Sequence, residues 1–390
     1  MRVLFVGGNS GGGGTESHFI ALARAMSDAG HDVAAAVRLD DFIHRALEGH
    51  GRIQLFPVEF RSRRDLRAIR ELTRLARTLR PDWIVSWFKA EYWGVAVAAK
   101  TAGVPVMLFS HLDQRIRPFM VSRITRLVQG IIVPSQYLRQ RTIERGLPES
   151  RIVVLPNPID VDCFRPDPVA RSRMRAMLGL ADADLLVGYA GRFEPEKGVP
   201  TLARALNTAM SRSTRVHALW VGHGKGEAEL RDITLRGGFM ARHHYLPWLD
   251  DVQPAYAAMD VLALPSEASE TFGRVLIEAQ ACGIPVLGAA NGGIPEALVN
   301  GETGRVLPPG NVPVWAAAIG EMVADYRRAR LAVNARTFAH RFDSQRVARG
   351  FVRILESFDP AAHPSRSPRP VSLTPVRDVA VILAGEVGAD

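Results

Sequence analysis

Leu264-Pro-Ser-Glu-Ala-Ser-Glu270-Thr-Phe-Gly273-Arg-Val-Leu-Ile-Glu278-Ala-Gln-Ala281 is the stretch whose reading decides the fold. It leaves an apolar strand at Val261–Leu264, turns through small and polar residues, and enters an amphipathic helix near Gly273. Glu270 and Glu278 stand eight residues apart across that junction. With the helix starting near Gly273, Glu278 lies roughly 7–8 Å farther along the axis, at about 1.5 Å per residue. Between the two carboxylates come backbone N–H groups and the positive end of the helix dipole, which suit an anion. The arrangement fits a ligand with hydroxyls at both ends and phosphate in the middle, as in a nucleotide-sugar.

Working outward, the same strand, glycine turn and helix recur. Leu185–Ala190 leads into Gly191-Arg192-Phe-Glu-Pro-Glu-Lys197-Gly198 and a helix from Thr201. A strand at 218–221 leads into Gly222-His-Gly224, and further strands are expected near 244–246 and 285–288. The last of these runs into Asn291-Gly-Gly-Ile-Pro-Glu296, read as a glycine turn into another helix. A helix at 344–358 is expected to close this second domain.

The first half opens with a strand at 3–6, then Gly7-Gly-Asn-Ser-Gly-Gly-Gly-Gly14-Thr-Glu16. A helix follows with Phe19, Leu22, Ala23 and Met26 on one face, then a strand at Asp32–Val37. The glycines lack the dinucleotide G-x-G-x-x-G spacing and do not end in Gly-Lys-Ser/Thr. The loop reads instead as one that lets backbone approach a ligand closely. Strands at 83–87, 104–109, Gly130–Val133 and 152–155 complete this half, and the proline-rich 156–166 marks the boundary.

This order predicts an α/β protein of two doubly wound Rossmann-like domains facing across a cleft, at 1–160 and 161–343. The Pro-, Ser- and Arg-rich start of 360–390 reads as a disordered tail.

Composition narrows the function. A chain of 390 residues holds two cysteines, Cys163 and Cys282, with no metal or disulfide pattern, which points to a reducing compartment. Cys282 reads as a small core residue. The first residues form a strand rather than a signal-peptide core, and no apolar run reaches the ~18 residues a membrane span needs. A cytoplasmic protein is expected. Its net charge is +9, yet no zinc-finger, helix-turn-helix or aromatic RNA-binding pattern favours nucleic acid.

Residues 61–80 hold eight arginines, with Leu66, Ile69, Leu72, Leu75 or Ala76, and Leu79 at helical spacing. One reading is a solvated helix packed on the sheet. The sharper one is a basic face drawn to the anionic inner leaflet of the plasma membrane, at about 1 kcal/mol per well-placed cation.

The charged candidates follow from their positions. His111 sits just beyond the strand at 104–109, and open parallel sheets bind ligands at such carboxyl ends. Arg192 and Lys197 share one loop: the arginine offers a planar fork and the lysine a compact charge to phosphate oxygens. Together they would neutralise the charge developing on a departing diphosphate.

Gly191-Arg-Phe-x-x-x-Lys197-Gly, Leu264-Pro-Ser-x-x-x-Glu270-x-Phe-Gly-x-x-x-x-Glu278-Ala, Gly283-Ile-Pro-Val and Gly292-Gly-Ile-Pro-Glu296 resemble the retaining glycosyltransferases of family 4 (GT4), which have the GT-B architecture. Gly13-Gly-Thr-Glu16, Pro134-Ser135 and Pro156-Asn157 agree, so the resemblance spans residues 1–358. It implies that Arg192 and Lys197 hold the donor diphosphate and that Glu278 accepts from the ribose hydroxyls. Glu270, with the backbone N–H groups of Phe272 and Gly273, would hold the hydroxyls of the transferred sugar. His111 would face that sugar near the reacting carbon, and Gly13 and Gly14 would approach the diphosphate. The resemblance further implies a retained anomeric configuration, a UDP- or GDP-linked hexose as donor, a saccharide or lipid-linked acceptor, and no metal or other cofactor. Asp160-Val-Asp162 falls in the linker. Two departures stand out: Asn157-Pro158 replaces the usual Asn-Gly, and Pro247 replaces a glycine in the loop near the base.

Two other readings stay open on the residues alone. A nucleotide-sugar epimerase of the same fold would need further acid/base groups around the sugar. A non-catalytic nucleotide-sugar-binding protein would be expected to have lost Arg192, Lys197 or Glu270.

Overall fold

The computed structural model describes residues 1–8, 13–62, 64–111, 113, 123 and 126–358. The tail expected at 360–390 lies outside the described residues. The chain forms two compact units, Met1–Ile159 with Phe342–Asp390, and Asp160–Arg341.

The first unit runs β1 (Arg2–Val6), α1 (Gly14–Asp28), β2 (Asp32–Val37), α2 (Phe42–Glu48), β3 (Gln54–Pro57), α3 (Leu66–Leu79), β4 (Trp83–Ser86), α4 (Tyr92–Ala102), β5 (Val106–Phe109), β6 (Gly130–Val133), α5 (Gln136–Glu144) and β7 (Ile152–Val154). Its seven strands are parallel, in the order β3-β2-β1-β4-β5-β6-β7. Successive residues of β1 feed opposite cores: Val3 and Phe5 join one cluster, Leu4 and Val6 the other. That alternation, with every residue from Val3 to Val6 apolar, is what a sheet covered on both faces requires.

The second unit runs α6 (Pro168–Met177), β8 (Leu185–Ala190), α7 (Val199–Arg212), β9 (Val216–Val221), α8 (Glu227–Arg236), β10 (His243–Leu246), α9 (Gln253–Ala258), β11 (Val261–Leu264), α10 (Arg274–Ala281), β12 (Val286–Ala289), β13 (Gly304–Leu307), α11 (Val312–Glu321) and α12 (Asp325–Ala339). Its parallel order is β10-β9-β8-β11-β12-β13. In each sheet the order reverses at one place, between β1 and β4 and between β8 and β11. In open parallel sheets, ligands bind at the carboxyl ends of the strands beside such a reversal.

Three expectations need correction. The last helix, α13 (Ser344–Ser357), does not close the second domain. Its Val347, Phe351 and Leu355 are buried in a core of the first unit, with the Phe351 ring 6.2 Å from that of Phe5. Its apolar stripe completes the cluster that α1 and α2 leave on that face of the sheet. The segment after Asn291 is a single 3-10 turn, Ile294–Glu296, rather than a helix. Leu66 is 64% exposed and outside the buried face of α3. That face centres on Ala68, Leu72 and Ala76, roughly a third of a turn from Leu66 at 3.6 residues per turn. Asp65 caps the helix, its carboxylate accepting from the N–H groups of Arg67 and Ala68.

Cys282 is buried, and burial pushes its thiol up to about 12, so it is an inert core group. Cys163 is exposed.

Candidate functional site

Lys197 and Glu270 are 73 residues apart in sequence and touch in the fold: Lys197 Nζ pairs with Glu270 Oε1. Topology brings them together. Lys197 lies on the loop leaving β8 and Glu270 on the loop leaving β11, the two strands that flank the reversal of the second sheet. Backbone contacts tie these loops. The Glu196 carbonyl accepts from the N–H groups of Glu267 and Ala268, and the Thr201 hydroxyl donates to the Glu267 carboxylate. Gly198 holds φ +71, and a Cβ there would collide with the Pro265 carbonyl, so glycine is what lets the loops close up.

The Glu270 carboxylate is further fixed by the Ser266 hydroxyl, at 3.0 Å to Oε1. Its backbone carbonyl accepts from Gly293 N–H at 2.8 Å, so the glycine turn after β12 supports the same loop. Asn291 donates its amide to the carbonyls of Ser266 and Glu267. Arg192 projects from the start of the β8 loop, exposed to solvent, and its carbonyl accepts from the buried Tyr189 hydroxyl at 2.8 Å.

Gly273 is the N-cap of α10 with φ +93, a left-handed value that glycine adopts without strain. The helix therefore starts where the sequence places it, and Phe272 is buried beside it. Glu278 is 8% exposed, with Arg274 Nε 2.6 Å from Oε1 and the Tyr256 hydroxyl 3.0 Å from Oε2. The two glutamates thus take different partners: Glu270 a lysine and a serine, Glu278 an arginine and a tyrosine.

The remaining candidates belong to the first unit. Gly13 caps α1, and its N–H donates to the Glu16 carboxylate at 3.1 Å. Gly14 begins α1, and a Cβ there would meet no atom within 4 Å. His111 follows β5, is 9% exposed, and lies parallel to the Phe109 ring at 5.7 Å and edge-on to His18 at 4.5 Å.

Sequence reasoning passed over several groups. Arg274 stands four residues before Glu278 and Ser266 four before Glu270, so pair spacing on a helix could have flagged the first. Tyr256 carried no such signal. In the first unit, Glu91 is buried with Oε1 accepting from Gly8 N–H at 2.8 Å. Burial pushes its carboxyl up to about 7. No group of three or more metal-ligating side chains occurs among the described residues. Asp160 instead caps its own turn, Oδ1 accepting from the N–H groups of Asp162 and Cys163.

Comparison with known proteins gives the family. A family model described as Glycosyltransferase Family 4 matches residues 12–163, and one described as Glycosyl transferases group 1 matches residues 184–325. The D-inositol 3-phosphate glycosyltransferase of Rhodococcus erythropolis is 31% identical over 295 residues, covering 71% of this chain and 65% of that protein. The GDP-mannose-dependent alpha-(1-6)-phosphatidylinositol monomannoside mannosyltransferase of Mycolicibacterium smegmatis is 34% identical over 203 residues, covering 50% of this chain and 53% of its own. This chain spans less than two thirds of the length of the curated relatives it matches. The crystal structure of Anabaena HepE in complex with UDP and glucose superposes with a TM-score of 0.79 at 26% identity, covering 92% of this chain and 100% of that one. Matched in both halves by models of one family, and related along its length to members of it, the chain belongs to the group 1, family 4 glycosyltransferases.

Proposed function

We propose that this protein is a retaining hexosyltransferase that moves a sugar from a UDP- or GDP-linked donor to a saccharide or lipid-linked acceptor in glycan or glycolipid synthesis. The observation that carries the proposal is the contact of Lys197 with Glu270, with Arg192 on the same loop and Glu278 behind it on α10. In this reading Arg192 and Lys197 bind the diphosphate and take up the charge that grows on it as the bond to the sugar breaks. Glu270, held by Ser266, orients hydroxyls of the sugar next to that bond, with the Phe272 and Gly273 backbone beside it. Glu278 orients the ribose. The two basic side chains supply the charge that a divalent ion would otherwise bring, so no metal is needed.

Relatives support the class of both substrates. HepE is described with UDP and glucose, and the mannosyltransferase is named as GDP-mannose-dependent. The acceptor class draws on one further feature: relatives are named for an inositol phosphate and a phosphatidylinositol monomannoside.

The test is thermal denaturation with UDP-, GDP- and ADP-sugars in EDTA. One donor is expected to raise Tm, since ligand at about 100 times its Kd stabilises by about 2.7 kcal/mol. If none of them does so with EDTA, or any does so only when a divalent ion is added, the corresponding part of the proposal falls.

Contact with an anionic membrane belongs to the same proposal. Arg67, Arg70, Arg74 and Arg77 are all exposed on α3, and Leu66 is exposed at its start. No helix among the described residues is long and apolar enough to cross a membrane. Such an enzyme would work in the cytoplasm, at the inner leaflet. Co-sedimentation with phosphatidylglycerol vesicles is expected at low salt and should weaken as salt rises. Absence of binding at low salt rejects the contact.

A further inference from the structure

The Glu278 carboxylate is clamped from two sides by groups that the family motif does not contain. Tyr256 reaches it from α9 with its hydroxyl 3.0 Å from Oε2, and Arg274 reaches it from the first turn of α10 with Nε 2.6 Å from Oε1. Tyr256 is 1% exposed, and the Phe164 ring packs 6.0 Å from its own. Burial, and then the charge of Glu278, push the phenol well above its ordinary range, so it stays a donor. Arg274 pairs with the carboxylate through a charge-assisted hydrogen bond, and a carboxylate held in such a pair is acceptor-only.

A carboxylate offers about four lone-pair sites. Tyr256 and Arg274 fill one on each oxygen, leaving one on each. Both remaining sites are fixed in direction, because neither oxygen can rotate without breaking a bond to a buried or half-buried partner. A fork of two fixed acceptors matches two adjacent hydroxyls, each donating one hydrogen bond. It does not match a ring carrying only one of them: the second oxygen would lose its water and gain no donor.

We infer that Tyr256 and Arg274 are positioning residues that hold Glu278 as a rigid two-acceptor fork, and that they commit the protein to ribonucleoside rather than 2′-deoxyribonucleoside diphosphate sugars. The inference rests on the proposed assignment of Glu278 to the ribose. It goes further by excluding a class of donor and by naming the groups responsible.

The experiment measures Kd by calorimetry for UDP, 2′-deoxy-UDP, GDP and 2′-deoxy-GDP on the full chain. The quantity read is the ratio of deoxy to ribo Kd for the base that binds. For the unaltered protein the ratio is expected at about 30 or more, the loss of one well-made hydrogen bond to a charged group. Tyr256→Phe keeps the ring and removes only the hydroxyl, and Arg274→Gln removes the other arm. Each should bring the ratio below about 5, mostly by weakening the ribonucleotide while the deoxynucleotide changes little. A purely structural role would weaken both nucleotides equally and leave the ratio unchanged, which overturns the inference. Glu278→Gln separates the two levels. If it collapses the ratio while Tyr256→Phe and Arg274→Gln do not, the clamp is wrong and the ribose assignment stands. If it leaves the ratio intact, the ribose assignment falls and the inference falls with it.

Discussion

Lys197→Ala is expected to lower kcat/KM for sugar transfer by about 10³, close to abolishing it, with the fold preserved. Loss of one preorganised donor aimed at developing negative charge costs about 10²–10³ in rate, and here the lost group also carries a full charge that assists binding. Both kcat and the affinity for free UDP or GDP should therefore fall. Stability should change by only about 1 kcal/mol, because each partner of the Lys197–Glu270 pair keeps some contact with solvent. Steady-state kinetics with a circular dichroism melt checks both statements, and turnover near that of the unaltered protein would sink the assignment.

Glu270→Ala should be as damaging to turnover, by about 10²–10³, and differ in its effect on nucleotide binding. The carboxylate that now occupies Lys197 is gone, which leaves the ammonium to the diphosphate alone. Free UDP or GDP should bind at least as tightly as to the unaltered protein, while kcat collapses because the sugar is no longer held beside the breaking bond. Calorimetry on the product nucleotide beside an assay of transfer separates the two. Parallel losses in both would show that Glu270 shapes the diphosphate site rather than the sugar site.

The contrast between these variants depends on a contact that could not be read from the chain. Lys197 and Glu270 each stood out by its own motif, a cation on a loop after a strand and a carboxylate before a helix. Nothing in their spacing of 73 residues says that they touch. The contact follows from strand order: β8 and β11 are neighbours across the reversal of the sheet, so the loops leaving them share one end of it. The edge strands β3 and β13 escaped notice for a related reason. Each has four residues, half-buried at the middle two positions, so neither shows the unbroken apolar run of the central strands.

The amino-acid sequence by itself determined the class of fold, the change of unit near residue 160 and the strand-to-helix turn that carries Glu270 and Glu278. These depend on local rules: apolar runs make buried strands, glycine permits the turns, and a left-handed Gly273 starts α10. Tertiary structure alone decided what those groups meet. It moved the last helix into the first unit, where an apolar face was uncovered, although sequence order placed it after the second. It set Tyr256 and Arg274 on the two oxygens of Glu278. A carboxylate is recognisable from its neighbours in the chain, but its direction comes from partners delivered by packing, and packing depends on surfaces far apart in sequence.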